Sequence, residues 1–226
     1  MALRRAHLLD TSRRWTIPKL NNLHETRQPT VWLLAPLVGL VTGVAAILFR
    51  LAIGVFQWPW LQTMSEHVAV AARLQPWWVV MLSPAVGGLL VGLLLRYALT
   101  AKRTVAVPDV MEARVNGGRG LDLGQGLISA LTSALSLGCG GSAGREGPIV
   151  HLGASIATVF ARNLNLPNAA RRTLLASGAA GAVAASFNAP IAGVLFAQEV
   201  ILGHFSIRTF VPLVLSSVVA TILSQA

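Results

Sequence analysis

The chain has 226 residues, of which 54% are hydrophobic and 12% are charged, and its mean hydropathy is +0.65. A soluble domain carries about a quarter charged residues, so this composition indicates a membrane protein. The net charge of +10 does not indicate nucleic-acid binding, because the basic residues are not clustered beside aromatic residues that could stack on bases. A single cysteine excludes an intrachain disulfide and forms no metal-binding pattern, so we expect neither a metal nor an organic cofactor.

Residues 1–28 are polar and rich in arginine, and the positive-inside rule predicts that they form a cytoplasmic arm of a protein in the cell (inner) membrane. Residues 29–226 are predicted to form one multi-pass membrane domain in contact with lipid. Residues 31–49 carry no charge and are long enough to span a bilayer. The apolar run continues over residues 51–61 after Arg50, so one long, tilted helix is predicted here.

Residues 77–95 are also uncharged and are predicted to form a second span. Gly88 and Gly92 within it have the small-xxx-small spacing that lets a neighbouring helix approach closely. The segments that follow are shorter and less regular: 108–116, 123–137, 149–160, 173–198 and 209–226. The fourth of these is divided by Asn188-Ala189-Pro190, which predicts the end of one helix and the start of another. Such short, interrupted helices are typical of transporters that bind an ion near the membrane midplane.

The stretch from Gly138 to His151 contains a glycine-rich turn. It reads Gly-Cys-Gly-Gly-Ser-Ala-Gly-Arg-Glu-Gly-Pro-Ile-Val-His. Pro148 suits the first turn of a helix, which is predicted to begin near Glu146. A glycine-rich turn leading into a helix N-terminus presents free N–H groups and a positive dipole end, which favour an anion. Glu146 places a fixed negative charge where that anion would bind.

Gly144-Arg145-Glu146-Gly147-Pro148, followed by His151, resembles the CLC family of chloride channels and proton–chloride antiporters. A second block, from Gly178-Ala179-Ala180-Gly181 through Ser186-Phe187-Asn188-Ala189-Pro190 to Glu199, resembles the same family. The resemblance implies an all-α membrane protein. It would contain the first inverted repeat of a CLC-type fold, with tilted, broken and partial-span helices.

The resemblance also implies that Glu146 is the gating glutamate, whose carboxylate occupies the anion position when the pathway is closed. The alternative is an ordinary glutamate that caps the first helical turn. The anion, chloride or a similar ion, would be held by residues in two segments: Gly144, Arg145, Gly147, Pro148 and Ile149 in the first, and Val105, Ala106 and Val107 in the second. Arg145 either attracts anions by its field or pairs with a carboxylate.

Two positions depart from the family pattern. Thr104-Val105-Ala106-Val107-Pro108-Asp109 stands where the family has Gly-Ser-Gly-Ile-Pro-Glu, so Val105 replaces a serine hydroxyl that helps hold the central ion. Val200 stands where antiporters of the family carry a second, proton-relaying glutamate, and valine cannot relay a proton. Glu199 is one residue away and would project in another direction on an α-helix. These departures favour a channel-like mechanism over proton coupling.

The resemblance covers the amino-terminal half of the family's membrane domain, and the second repeat is expected to be absent from this chain. The leading hypothesis is therefore voltage- or gradient-driven chloride transport that requires a second repeat. The alternative is a truncated or accessory membrane protein of the same fold that does not conduct by itself. Relatives pair as homodimers, which implies a homodimer here. No nucleophile–base pair or Walker-type loop indicates an enzyme.

Overall fold

The computed structural model describes residues 28–64, 68–99 and 103–225, so the predicted arm lies outside it except for its last residue. Within these ranges every regular element is a helix. The α-helices are α1 (Gln28–Leu61), α2 (Val68–Arg73), α3 (Trp77–Tyr97), α4 (Val107–Val115), α5 (Leu123–Gly138), α6 (Glu146–Asn163), α7 (Asn168–Phe187), α8 (Pro190–Phe196) and α9 (Ile207–Gln225). A π-helical segment, Ala197–Leu202, follows α8 directly. The predicted all-α fold is confirmed.

Within the described part of the chain, three helices are long and apolar enough to cross a membrane: α1 from Pro29, α3 and α9. Helix α1 has 34 residues and is continuous through Arg50, as predicted. At 1.5 Å per residue it is about 51 Å long, which exceeds the ~30 Å hydrocarbon core of a bilayer. It must therefore tilt or extend beyond the membrane.

Helix α7 forms the centre of the structure. All residues from Leu174 to Ala185 are buried, and α7 packs against α1, α6, α8 and α9. Its small residues allow this burial, because they let neighbouring backbones approach without a large side chain between them. The sequence-based prediction of a helix surrounded by other helices is confirmed.

The closest crossing in this core joins Gly178 of α7 to Gly153 of α6. A Cβ added to either glycine would overlap the carbonyl oxygen of the other. The predicted close approach at Gly88 and Gly92 of α3 is wrong, since neither glycine has another group within 4 Å of an added Cβ. Gly87 makes the contact instead, against the Cys139 side chain at the end of α5. One step along a helix turns a residue by about 100°, so spacing alone did not identify the packed face.

The break predicted at Asn188-Ala189-Pro190 is confirmed. Asn188 ends α7 in the left-handed conformation with φ of +55°, and Pro190 begins α8. Helices α4 and α8 have 9 and 7 residues, too few to cross a bilayer. Both therefore end inside the helical body or at its surface, as expected for partial-span helices.

Candidate functional site

The glycine-rich turn connects α5 to α6. Gly140 has φ of +91°, a left-handed conformation that a side chain would strain, and the Gly141 amide donates to the Ser136 carbonyl. The chain then runs to Glu146, which is the first residue of α6, as predicted. The positive end of an 18-residue helix therefore opens at this turn.

The Glu146 side chain is exposed and lies back over the turn. A Cβ placed on Gly144 would collide with the Glu146 carboxylate oxygen Oε2, so only glycine leaves room for this position. Helix α6 has no side-chain cap, and within the described chain the Glu146 carboxylate accepts no hydrogen bond. Glu146 is the acidic residue of the first turn of α6, so its role as a gate and its role as an ordinary first-turn glutamate both stay predictions.

The first turn of α6 contains Glu146, Gly147, Pro148 and Ile149. Pro148 has no N–H, so it shapes this helix end without donating a hydrogen bond. Gly147 retains an amide of the kind that a helix N-terminus leaves without an intrahelical partner. Ile149 is the fourth residue of α6, so its amide has an intrahelical acceptor in the Arg145 carbonyl, and its side chain is fully buried in the main hydrophobic core.

In the second predicted segment, Thr104 to Val107, two backbone amides are hydrogen-bonded to side chains of the protein. The Val105 amide donates to Ser129 Oγ at 3.0 Å, and the Ala106 amide donates to Asp109 Oδ2 at 2.7 Å. Asp109 in turn accepts from Arg103 at 2.5 Å. Both amides are occupied in this conformation, and the assignment of Val105 and Ala106 to the anion site stays a prediction.

The two segments nevertheless lie together. A Cβ added to Gly147 would be 3.3 Å from the Ala106 Cβ. A cavity of about 360 Å³ lies between the segments and is lined by Thr104, Val105, Ala106, Gly144, Gly147 and Pro148. Val107 does not line it, since this residue packs against the main core at the start of α4. Five of the eight predicted anion-binding residues therefore share one cavity.

Hydroxyl groups from α5 complete this cavity. Thr132, Ser133 and Ser136 line it beside the glycine turn, and Ser129, one turn earlier, is bonded to Val105. The sequence analysis did not identify them. The signal was present, because Ser129, Ser133 and Ser136 follow the i, i+4, i+7 pattern of one helical face. Helix α5 thus places hydroxyls next to Val105, where the resemblance had pointed to a missing one.

Arg145 lies over the Phe187 ring, with 5.6 Å between the guanidinium carbon and the ring centroid. It also lines a larger cavity of about 490 Å³ on the other side of the glycine turn, together with Arg50 and Gln57. Arg145 is thus held beside the turn by cation–π contact and does not share the cavity at Val105. Both alternatives considered for this residue, long-range attraction and pairing, remain compatible with that position.

Val200 and Glu199 lie in the π-helical segment, which the sequence analysis had treated as α-helix. Val200 is half-buried against the main core, whereas Glu199 is exposed. Gly203 ends the segment with φ of +67°, and the buried Gln198 side chain donates to the Ser206 carbonyl at 3.2 Å. The wider turn means that the two side chains diverge by less than an α-helix would give.

His151 lies inside α6, away from the turn. It is buried, and its Nδ1 is 3.4 Å from Ser155 Oγ. The Cys139 side chain is also buried, against α3. The backbone carbonyl of Cys139 accepts a hydrogen bond from the Ser83 hydroxyl at 2.9 Å. Both residues therefore have packing roles.

Comparison with known proteins supports one family. A family model described as voltage gated chloride channel matches residues 87–226. A ClcB-like protein of Ralstonia nicotianae is 37% identical over 194 residues, which cover 84% of this chain and 45% of that protein. The voltage-gated ClC-type chloride channel ClcB of Salmonella typhi is 35% identical over 190 residues, covering 83% and 45%.

The crystal structure of a slow cyanobacterial Cl⁻/H⁺ antiporter has a similar fold, with a TM-score of 0.67 and 27% identity. The match covers 86% of this chain and 46% of that one. The chain therefore spans about half the length of the relatives that it matches. The family model covers more than half of this chain, and the Gly144–Pro148 motif lies within the matched residues. The chain belongs to the voltage gated chloride channel family, also called the CLC family.

Proposed function

We propose that this chain provides one wall of a chloride pathway across a membrane, with Glu146 as its gate. The observation that carries the proposal is the position of the Glu146 carboxylate. It is exposed, lies against Gly144, and stands at the N-terminal end of α6.

A helix N-terminus carries about half a positive charge and unpaired N–H groups, which attract an anion. A carboxylate at the same place is stabilised by the same field. Glu146 and chloride therefore compete for one position. Movement or protonation of the carboxylate would free that position for the ion, which is the property required of a gate.

The pathway is proposed to be channel-like. Val200 occupies the relay position and has no ionisable group, and Glu199 points towards the surface. The Salmonella typhi relative is described as a channel and the cyanobacterial relative as an antiporter, so the family name alone does not select between them. The side chain at position 200 is the residue-level argument for the channel.

A complete pathway is proposed to need a second repeat. The Ralstonia nicotianae relative and the cyanobacterial antiporter are about twice as long as the matched region. The N-terminal end of α6 stands at the glycine turn. In inverted-repeat transporters a second helix end faces the first across the ion. That second wall would also supply donors in place of the occupied Val105 and Ala106 amides.

We further propose a homodimer in the inner membrane with a cytoplasmic amino terminus. An apolar face on α8 and α9, which includes Ile191, Leu195, Phe210 and Val218, is exposed and suits a second copy within the bilayer. The arginines of residues 1–28 support the orientation.

A second candidate function is a membrane protein of the same fold that binds partners without conducting. The internally bonded Val105 and Ala106 amides favour it, because they reduce the number of donors available to an anion. The two candidates differ in one measurable property, chloride movement.

Chloride efflux from liposomes tests the proposal. It would be measured for this chain and for this chain joined to the second repeat of a family relative, with Glu146→Gln alongside. We expect flux in the joined protein and a higher flux in the variant. If neither protein releases chloride, the transport proposal is wrong and the non-conducting candidate stands.

A further inference from the structure

A basic cavity lies at a different place from the glycine turn, where α4 and the π-helical segment end and α7 and α9 begin. It has a volume of about 410 Å³. Three basic side chains, Arg114, Arg172 and His204, line it together with the hydroxyl-bearing Thr173 and Thr209. None of these five residues belongs to the proposed chloride path. The cavity therefore combines positive charge with several hydrogen-bond donors.

Backbone carbonyls hold the basic side chains in place. Arg172 Nη2 donates to the Val115 carbonyl at 2.8 Å, and Arg114 Nη1 donates to the Leu202 carbonyl. His204 Nδ1 donates to the same Leu202 carbonyl at 2.9 Å. A guanidinium has five N–H donors, so each arginine has others left for a ligand. The donors are thus oriented in advance, which reduces the entropy lost on binding.

The charge in this cavity is not neutralised within the described residues. Arg103 forms an ion pair with Asp109, but Arg114 and Arg172 pair with no described carboxylate. Both instead bond to carbonyls at helix C-termini, which carry only partial negative charge. A ligand with a full negative charge would therefore be attracted here.

The cavity lies at the level where two candidate spans begin. An adjoining cavity of about 180 Å³ shares Ala169, Thr173 and Thr209 with it and adds Val31 and Trp32 of α1 and Arg208 of α9. The candidate membrane spans in α1 and α9 begin at Pro29 and Ile207, next to these residues in the chain. Trp32 is 44% exposed and Ile207 88% exposed, so an aromatic and an aliphatic surface adjoin the charged one. Trp is enriched where headgroups meet acyl chains.

We propose that the Arg114–Arg172–His204 cavity binds the phosphate headgroup of an anionic phospholipid. The guanidinium groups and the threonine hydroxyls contact the phosphate, and the acyl chains lie along the apolar surface near Trp32 and Ile207. Ordinary positive-inside charges attract lipid without a fixed geometry. Here carbonyl bonds hold the donors around one cavity, which is the feature of a binding site.

Thermal unfolding of the detergent-purified protein tests this. Phosphatidylglycerol, phosphatidylcholine and inorganic phosphate would be added separately, and bound lipid would be counted by native mass spectrometry. We expect phosphatidylglycerol alone to raise the unfolding midpoint. Arg172→Gln should weaken its binding about fivefold, the effect of one arginine near an anionic surface. Arg172→Lys, which keeps the charge without the guanidinium fork, should give an intermediate value.

Arg96→Gln is the matched control, because Arg96 is an exposed arginine at the end of α3 that does not line the cavity. Arg208 lines the adjoining cavity, so Arg208→Gln tests the site while the hydrogen bonds from Arg114 and Arg172 to backbone carbonyls stay in place. An equal loss in Arg96→Gln and Arg172→Gln would show general charge attraction and overturn the proposal. An equal midpoint shift from phosphatidylcholine would also overturn it. A shift from inorganic phosphate as large as that from phosphatidylglycerol would assign the cavity to a soluble ion and overturn the lipid assignment.

Discussion

The Ser129 hydroxyl is bonded to the backbone of Val105. It accepts from the Val105 amide at 3.0 Å and lies 3.5 Å from the Val105 carbonyl oxygen. Both residues are buried. The family motif has a serine where this chain has Val105, so the serine hydroxyl is absent here. The Ser129 hydroxyl, from the neighbouring helix α5, instead bonds to the backbone of the loop that contains Val105.

This bond predicts a stability effect. Ser129→Ala would leave the buried Val105 amide without an acceptor, which costs about 1–3 kcal/mol. Thermal unfolding followed by circular dichroism in detergent measures the change. Ser133→Ala is the control, since Ser133 is half-buried and makes no hydrogen bond to another described residue. Equal midpoints for the two variants would contradict a role for Ser129 in holding the loop.

In the chain joined to a second repeat, Glu146→Gln should raise chloride flux and blunt its dependence on pH. The neutral side chain no longer competes as an anion, and it cannot be switched by a proton. Glu199→Gln, which removes another exposed carboxylate, should leave both properties unchanged. The same flux and the same pH response in Glu146→Gln as in the unmodified protein would remove Glu146 from the gate.

Gly144→Ala should displace the gate by steric contact. The added methyl group would occupy the place of the Glu146 carboxylate oxygen, so the side chain would have to leave its position over the turn. We therefore expect higher chloride flux in this variant. The double variant with Glu146→Gln should conduct no faster than the Glu146→Gln single variant, since both changes act on one group. Fully additive effects would show that Gly144 acts in another way.

Gly178→Ala should destabilise the α6–α7 crossing. Its methyl group would overlap the Gly153 carbonyl, and overpacking of this kind costs about 1–3 kcal/mol. Gly92→Ala makes the same chemical change in α3, where an added Cβ meets nothing within 4 Å. That control should stabilise its helix by about 0.5–1 kcal/mol. Unfolding midpoints that move in the same direction in both variants would argue against the crossing as the centre of the fold.

Val200→Glu should introduce proton movement driven by a chloride gradient. The unmodified protein should show none, because its relay position is apolar. Val200→Leu is the control for size. A pH electrode outside chloride-loaded liposomes measures the effect. Proton movement in the unmodified protein equal to that in Val200→Glu would assign the relay to another group.

Much of the helical framework could be predicted from the sequence. The uncharged runs predicted α1 and α3, and Asn188 with Pro190 predicted the break between α7 and α8. These features depend on local properties, namely hydrophobicity, the missing proline N–H and the conformational preference of asparagine. The start of α6 at Glu146 followed in the same way from the glycine turn and Pro148.

The candidate site was predicted only in part. The sequence motifs identified Glu146 and Gly144, which contact each other and are close together in the chain. They did not show that the Val105 and Ala106 amides are already bonded, because the partner of Val105 is 24 positions away on α5. The π-helical turn at Val200 was also missed, and within this segment the buried Gln198 side chain donates to the carbonyl of Ser206 in the loop that follows.

The sequence by itself determined that this chain is a membrane protein, where its helices break, and which carboxylate stands at a helix N-terminus. Each of these follows from composition or from residues close together in the chain. Only the tertiary structure decided which glycine of α3 is packed, which backbone amides remain for an anion, and that Arg114, Arg172 and His204 share one cavity. Those outcomes depend on contacts between residues far apart in the sequence, and packing against other helices selects them.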